Sequence, residues 1–234
     1  MSTYVMSDLH GAFDALQALL EEVRFSAEDT LYIMGDVVDR GQEGVEILRF
    51  AMNAPNIHML LGNHEYMCMQ YFSGDAETAV IRRWNCNNNF YTLGGFDKLT
   101  AEEKQQVLDY IASLPDHVRL TVNGKKYYLV HGFTGENTYG KVWNRPKYDT
   151  VPDLPEDEHL IIGHTPVCEF VCPGTDENMY VYSHGLTEKG DHFRILHAPH
   201  FTNIDCCVGY GFSAARLACL RLDDGAEFYH KVKL

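Results

Sequence analysis

The chain lacks any run of about 18 apolar residues long enough to span a bilayer. Asp8 and His10 interrupt its start before an apolar signal region could form. Basic residues are also scarce, with 19 Lys and Arg against 33 Asp and Glu, a formal net charge of −14. That balance excludes a general nucleic-acid or anionic-membrane binder, either of which needs a basic face. Bound divalent cations would offset part of the excess. No Pro/Ser-rich linker and no internal repeat breaks the chain, so 234 residues with 45% hydrophobic content are expected to form one domain, 1–234, with a sizeable core. The seven cysteines are odd in number and follow no disulfide framework, so they read as reduced thiols of a cytoplasmic protein.

What is present is concentrated in three strings: Ser7-Asp8-Leu9-His10-Gly11, Gly35-Asp36-Val37-Val38-Asp39-Arg40-Gly41 and Gly62-Asn63-His64-Glu65. Each sets oxygen or imidazole ligands into a glycine-bearing turn just past an apolar run: Tyr4-Val5-Met6, Leu31 to Met34, and Ile57 to Leu61. Asp8 to Asp36 is 28 residues and Asp36 to Asn63 is 27, the length of a strand, a crossover helix and the next strand. Phe13, Leu16, Leu19, Leu20 and Val23 supply the helical period in the first gap, and Val45, Ile47, Leu48 and Ala51 in the second. Parallel strands joined by right-handed crossovers open all three strings at one sheet edge, so residues far apart in sequence converge.

Farther along, Glu102 to Ser113 has a helical pattern that stops before Pro115. Val118 to Val122 and Lys126 to Val130 flank Asn123-Gly124, a pair suited to a type I′ hairpin turn. That second run leads into His131-Gly132, and His159 to Ile162 leads into Gly163-His164-Thr165-Pro166, repeating the placement of a ligand past a buried strand. The segment from about 180 to 234 reads as antiparallel strands, with turns near Asn203 and Asp223-Asp224-Gly225, in a second sheet packed on the first.

Asp8, His10, Asp36, Asn63, His131 and His164 form a mixed oxygen and imidazole set suited to Mn²⁺, Fe or Zn²⁺, whereas calcium wants oxygen alone. Two such ions sharing a carboxylate and a water, roughly 3.5–4 Å apart, would yield a hydroxide for in-line attack on phosphorus. The planar fork of Arg40 suits a phosphate. His64 can approach a leaving group without joining the metal shell, and Asp39 is the carboxylate to orient it as a general acid. No cysteine has an arginine six residues downstream, which excludes a Cys-x5-Arg phosphatase.

These strings, with His131-Gly132 and Gly163-His164-Thr165, resemble the phosphoprotein phosphatase family of calcineurin-like metallophosphoesterases, whose signatures read GDxHG, GDxxDRG and GNHE. Ser7 stands for the usual first glycine. Val142-Trp143-Asn144-Arg145 is similar to the second phosphate-binding arginine region of the small bacterial and phage-type branch. The resemblance implies an α/β fold, a four-layer α/β/β/α sandwich of two mixed sheets flanked by helices. It further implies one metal on Asp8, His10 and Asp36, a second on Asp36, Asn63, His131 and His164, and Asp36 as the bridge. Arg40, Arg145 and Asn63 would bind phosphate, and His64 with Asp39 would protonate the leaving group. The implied cofactor is a pair of divalent ions, commonly Mn²⁺, and the implied substrate a phosphoserine or phosphothreonine protein. Symmetrical diadenosine tetraphosphate hydrolases share the constellation but usually carry Gln where this chain has His10.

Two departures stand out. The family string Ile-Asp-Thr/Cys-Gly is here Ile204-Asp205-Cys206-Cys207-Val208-Gly209, and residues 170–203 read as an inserted hairpin or flap. Other features have plainer readings. His131 and His164 taken singly could be capping or core histidines. Arg82-Arg83-Trp84 reads as a solvated helix face, and Cys206-Cys207 as shielded, inert thiols. Gly209-Tyr210-Gly211-Phe212-Ser213-Ala214 matches a dinucleotide fingerprint but leaves too little chain for the rest of a βαβ unit. Cys168 and Cys172 with His184, His192, His197 and His200 lack zinc-knuckle spacing. A non-catalytic module would be expected to have lost a ligand or the acid, and none is missing.

Overall fold

The computed structural model of the chain describes residues 1–74, 76–169, 193–212 and 214–232. Thr3–Met6 (β1), Thr30–Ile33 (β2) and Ile57–Met59 (β3) pair in parallel, with Val5 opposite Tyr32 and Ile33 opposite Met59. The intervening helices Phe13–Glu22 (α1) and Gly44–Met52 (α2) bury Leu16, Leu19, Ile47 and Leu48, as their 3.6-residue period requires. Four more helices follow: Asn63–Phe72 (α3), Thr78–Cys86 (α4), Phe90–Asp97 (α5) and Ala101–Ser113 (α6). Thr100 opens α6 with a reciprocal box, its hydroxyl accepting from Glu103 N while the Glu103 carboxylate accepts from Thr100 N. Leu114, extended before Pro115, ends it.

His117–Val122 (β4) and Lys125–Val130 (β5) form the expected hairpin. Asn123 and Gly124 both have positive φ, 50° and 81°, which a type I′ turn demands. Thr138–Trp143 (α7) leads to Glu158–Ile162 (β6), Leu196–His197 (β7), Phe201–Asn203 (β8), Arg216–Arg221 (β9) and Glu227–Lys231 (β10). One mixed sheet has the order β10-β9-β1-β2-β3 and the other β4-β5-β6-β8-β7. Alternation along each strand sorts the core into layers. Tyr4 and Met6 face the helices, while Val5 joins Met34, Leu60, Leu129, Ile161 and Leu220 between the sheets. Tyr128, Val130, Leu160 and Ile162 point the other way, against Phe133, Tyr148 and Leu154 of the connection that carries α7.

The C-terminal segment departs from its sequence reading. Rather than completing the second sheet, β9 returns to the first and pairs antiparallel with β1, Val5 opposite Leu220. Leu217 and Cys219 then pack toward the helices, and Ala218 and Leu220 between the sheets. A run apolar on both faces satisfies any inner position, so its pattern carries no address. Asn203, expected in a turn, instead ends β8, buried, with its amide donating to Thr165 O. Of the expected flap, residues 193–203 contain β7 and β8, and 170–192 lie outside the described residues, as do Cys172, His184 and His192.

Candidate active site

The loops after β1 and β2 meet at one edge through their backbones, and the loop after β3 joins them through the Glu65 and Asp36 carboxylates. His10 N donates to Asp36 O at 2.9 Å and Gly11 N to Val37 O at 2.8 Å. The turns are tight enough to force left-handed backbone. Of the ten non-glycine residues with positive φ among those described, six are Asp8, His10, Asp36, Asp39, Arg40 and His164. Each such conformation costs on the order of 1–3 kcal/mol, and it persists where the surroundings over-determine it.

Asp36 is the hub. Its Oδ1 lies 3.2 Å from His131 Nε2 and accepts from His64 N at 3.0 Å; its Oδ2 lies 3.9 Å from His10 Nε2 and 3.7 Å from His64 Nε2. Potential ligand atoms fall into two groups that share it, His10, Asp36 and His64, and Asp36, His131 and His164, each within 4.8 Å. Asn63 Oδ1 is 3.0 Å from His131 Nε2. The Asp8 carboxylate accepts from Ser7 Oγ at 2.6 Å and from His164 N at 3.0 Å, which ties the first strand's loop to that after β6. That approach leaves no room for a side chain at Gly163, where a Cβ would sit 2.3 Å from Asp8 Oδ2.

The donor set fits divalent cations. His10 Nδ1 faces Val38 O at 3.0 Å and His131 Nδ1 faces Met34 O at 2.8 Å. A carbonyl only accepts, so both rings carry a proton on Nδ1 and aim Nε2 at the cluster, the orientation of metal-bound histidine. The imidazoles of the cluster differ: burial, with nearby positive charge, holds His10 and His164 well below the usual histidine value. Burial opposes protonation of His131, yet Asp36, Asp8 and Glu65 push it up to about 9.

His64 and Asp39 form a pair at 2.6 Å between Nδ1 and Oδ2. Asp39 is fully buried and also accepts from Trp84 Nε1 at 2.7 Å and Thr92 Oγ1 at 2.5 Å. Burial would lower the His64 pKa, but the Asp36 and Asp39 carboxylates raise it despite nearby Arg40. Arg40 Nη2 is 3.3 Å from His64 Nε2, and its guanidinium lies 5.2 Å from the Tyr210 ring centre. Arg145 lies beside His164, its Nε donating to His164 Nε2 at 3.3 Å and its Nη1 to Glu169 at 2.6 Å. A groove of about 970 Å³ opens beside Arg40, lined in part by Asn87, Asn88, Tyr91 and Tyr210.

Every site residue expected from sequence therefore lies at this edge, and several supporting residues were missed. Glu65 accepts from Asp36 N, Val37 N, Val38 N and Gly62 N at 2.8–3.2 Å, holding the loop that bears Asp36. Its letter was visible in the third string, but nothing local says that it bonds another loop. Trp84 corrects the solvated-face reading: Arg82 and Arg83 are exposed, while a residue further round the helix Trp84 turns inward to Asp39. The fingerprint-like Gly209 to Ala214 stretch opens no helix in the described residues, only the short 3₁₀ turn Val208–Tyr210.

Two mixed sheets carry a buried Asp/His cluster at their strand ends, an arrangement suited to holding divalent metal. The chain belongs to the calcineurin-like phosphoesterase family, whose model matches residues 1–194. Over 117 residues, 49% of its length, it is 33% identical to a symmetrical bis(5′-nucleosyl)-tetraphosphatase of Hamiltonella defensa, of which the match covers 38%. Over 140 residues, 58% of its length, it is 29% identical to serine/threonine-protein phosphatase 2 of Salmonella typhimurium, covering 60% of that protein. The chain thus spans less than two thirds of either relative. A solved protein serine/threonine phosphatase from Saccharomyces cerevisiae shares the fold, with a TM-score of 0.61 at 13% identity over 100% of this chain and 80% of that one. Among the described residues, no helix is long and apolar enough to cross a membrane.

Proposed function

We propose that this chain is a two-metal phosphomonoesterase acting on phosphoserine or phosphothreonine in proteins, working as one catalytic domain in the cytoplasm. The observation that carries the reading is the His64–Asp39 pair at 2.6 Å beside an Asp36-centred cluster. Asp8, His10 and Asp36 would hold one ion, and Asp36, Asn63, His131 and His164 the other, with Mn²⁺ the proposed metal on this oxygen and imidazole set. Bound there, the ions supply Lewis-acid activation of water and neutralise phosphoryl charge. Asp39 accepts the Nδ1 proton of His64 and so leaves Nε2 as the atom that delivers a proton to the leaving alkoxide. The Asp36 and Asp39 carboxylates, which raise the His64 pKa against the effect of burial, favour holding that proton. Arg40 and Arg145 flank the cluster and clamp phosphate oxygens through their forks, while Asn63 gives its amide to the same oxygens.

A second reading, hydrolysis of a symmetrical dinucleoside tetraphosphate, is favoured by the relative of that activity at 33% identity. The resemblance of the His10 string to the phosphoprotein phosphatase signature favours the protein substrate. The deciding experiment reloads metal-stripped protein with Mn²⁺ and measures phosphate release from phosphoserine and phosphothreonine peptides and, in parallel, ADP formation from diadenosine tetraphosphate, whose symmetrical cleavage yields two ADP and no free phosphate. Turnover of peptides alone supports the proposal. Turnover of the dinucleotide alone replaces the substrate and leaves the site reading standing.

A further inference from the structure

Two cysteines outside the proposed chemistry meet between the loops that carry it. Cys168 lies in the 3₁₀ turn Val167–Glu169, four residues past His164, and Cys207 lies two past Asp205. Their sulfurs are 3.0 Å apart and the residues are 1% and 0% exposed. Cys207 reaches this position from a left-handed backbone, φ 71° and ψ 25°. A Cβ is disfavoured there and glycine is not, and glycine is what the related family string has after its Thr/Cys. The loop therefore keeps the glycine conformation while presenting a thiol.

A second link joins the same two segments. Tyr210 Oη donates to Glu169 Oε1 at 3.2 Å, and Glu169 Oε2 accepts from Arg145 Nη1 at 2.6 Å. Arg40 rests over the Tyr210 ring. Both arginines thus lean on the two segments that the thiols connect.

We propose that Cys168 and Cys207 are an oxidisable dithiol whose disulfide clamps the 167–169 turn to the 205–210 loop and changes how the two arginines receive phosphate. The co-reactant is a peroxide. One thiol takes an oxygen atom from hydrogen peroxide, becoming a sulfenic acid and releasing a water. The second sulfur displaces the hydroxyl, which leaves with the second thiol's proton as another water. Two thiols lose two electrons in total, and the peroxide is reduced to two waters. Burial pushes the Cys207 thiol well up, which makes the first step slow. The second step joins sulfurs already in contact and is fast. The cross-link stands independently of the proposed activity, and only its effect on phosphate rests on that reading.

The test treats the Mn²⁺-loaded protein with hydrogen peroxide over a time course continued well beyond complete oxidation of exposed Cys86, because the buried thiols react slowly. Alkylation under denaturing conditions and peptide mapping without reduction follow. The expected product links the Cys168 and Cys207 peptides, is reversed by dithiothreitol, and raises Tm by roughly 5–15 °C, because the bond closes a long loop. Affinity for inorganic phosphate, measured by calorimetry, should differ about threefold or more between the reduced and oxidised forms. Cys168→Ser should match the reduced wild type and ignore peroxide. Cys207→Gly, which suits the backbone, provides the same control if the serine variant folds poorly. Both buried thiols still alkylated at the end of that course, or a bridge to Cys206 instead, overturns the dithiol. A correct bridge with unchanged phosphate affinity overturns the clamp alone.

Discussion

The two sides of the candidate site are built to different tolerances. On the side supplied by β1, β2 and β3, Asp39 is fully buried with three side-chain partners, and Glu65 pins three consecutive backbone N–H groups from Asp36 to Val38. On the side supplied by the second sheet His131 and His164 are buried too, but the Arg145 side chain is 42% exposed and held by an ion pair to Glu169 and a bond to His164. Over-determined groups suit a reaction in which small displacements are costly. A half-exposed cation suits reversible capture of an anion. Under the proposed function, chemistry would fall to the buried His64–Asp39 pair and phosphate affinity to the open Arg145.

The sharpest way to break this contrast is at its centre. Asp36→Asn should remove both ions together and cut turnover by about 10⁴-fold or more, since each ion supplies several kcal/mol. Metal analysis that finds one ion still bound at full affinity would end the bridging role. His64→Asn should lower turnover by about 10²–10⁴, the size of a general-acid contribution, with metal content intact. Loss of metal in that variant would move His64 among the ligands, where its distance from Asp36 also allows it. Glu65→Gln replaces an accepting oxygen with an amide that cannot take a backbone N–H. It should weaken metal binding about 10–100-fold and stability by about 1–3 kcal/mol, read by metal titration and urea unfolding. A variant with normal metal affinity would reduce Glu65 to a folding residue.

On the open side, Arg145→Ala should raise KM for a phosphopeptide about tenfold, the worth of one charged hydrogen bond, and leave kcat within about threefold. A kcat as low as that of His64→Asn would erase the distinction between the sides. The smallest effect lies within the second sheet. His159 donates to or accepts from Thr202 at 2.8 Å, and burial, then Lys125 and His197, lower its pKa to about 4. The unfolded chain takes up a proton below about pH 6.5 that the folded chain refuses until about pH 4, so this contribution is present above 6.5 and fades as pH falls through that window. His159→Gln should lose less stability than the wild type between pH 7 and pH 5 in thermal melts. Equal losses would discard the argument.

Much of the buried side could be read from sequence because its information is local. Asp8, Asp36 and Asn63 each end an apolar run, and their spacing admits one strand–helix–strand unit per gap. His131 and His164 were legible by the same rule. Trp84 and Thr92 were not, since each acts on Asp39 from more than forty residues away. The departure at Cys206-Cys207 put the loop's shape in question, and φ at Cys207 answers it: a cysteine occupies the glycine conformation.

By itself the sequence determined the strand-ending ligand strings, the hairpin at Asn123-Gly124 and the kind of chemistry that oxygen and imidazole donors support. These follow from period, turn stereochemistry and ligand type, all properties of a few adjacent residues. The tertiary structure alone decided that β9 joins β1, that Glu65 holds the Asp36 loop, and that Cys168 meets Cys207. Those are choices among partners of similar chemistry distant in the chain, and only the packing of two sheets into one molecule selects among them.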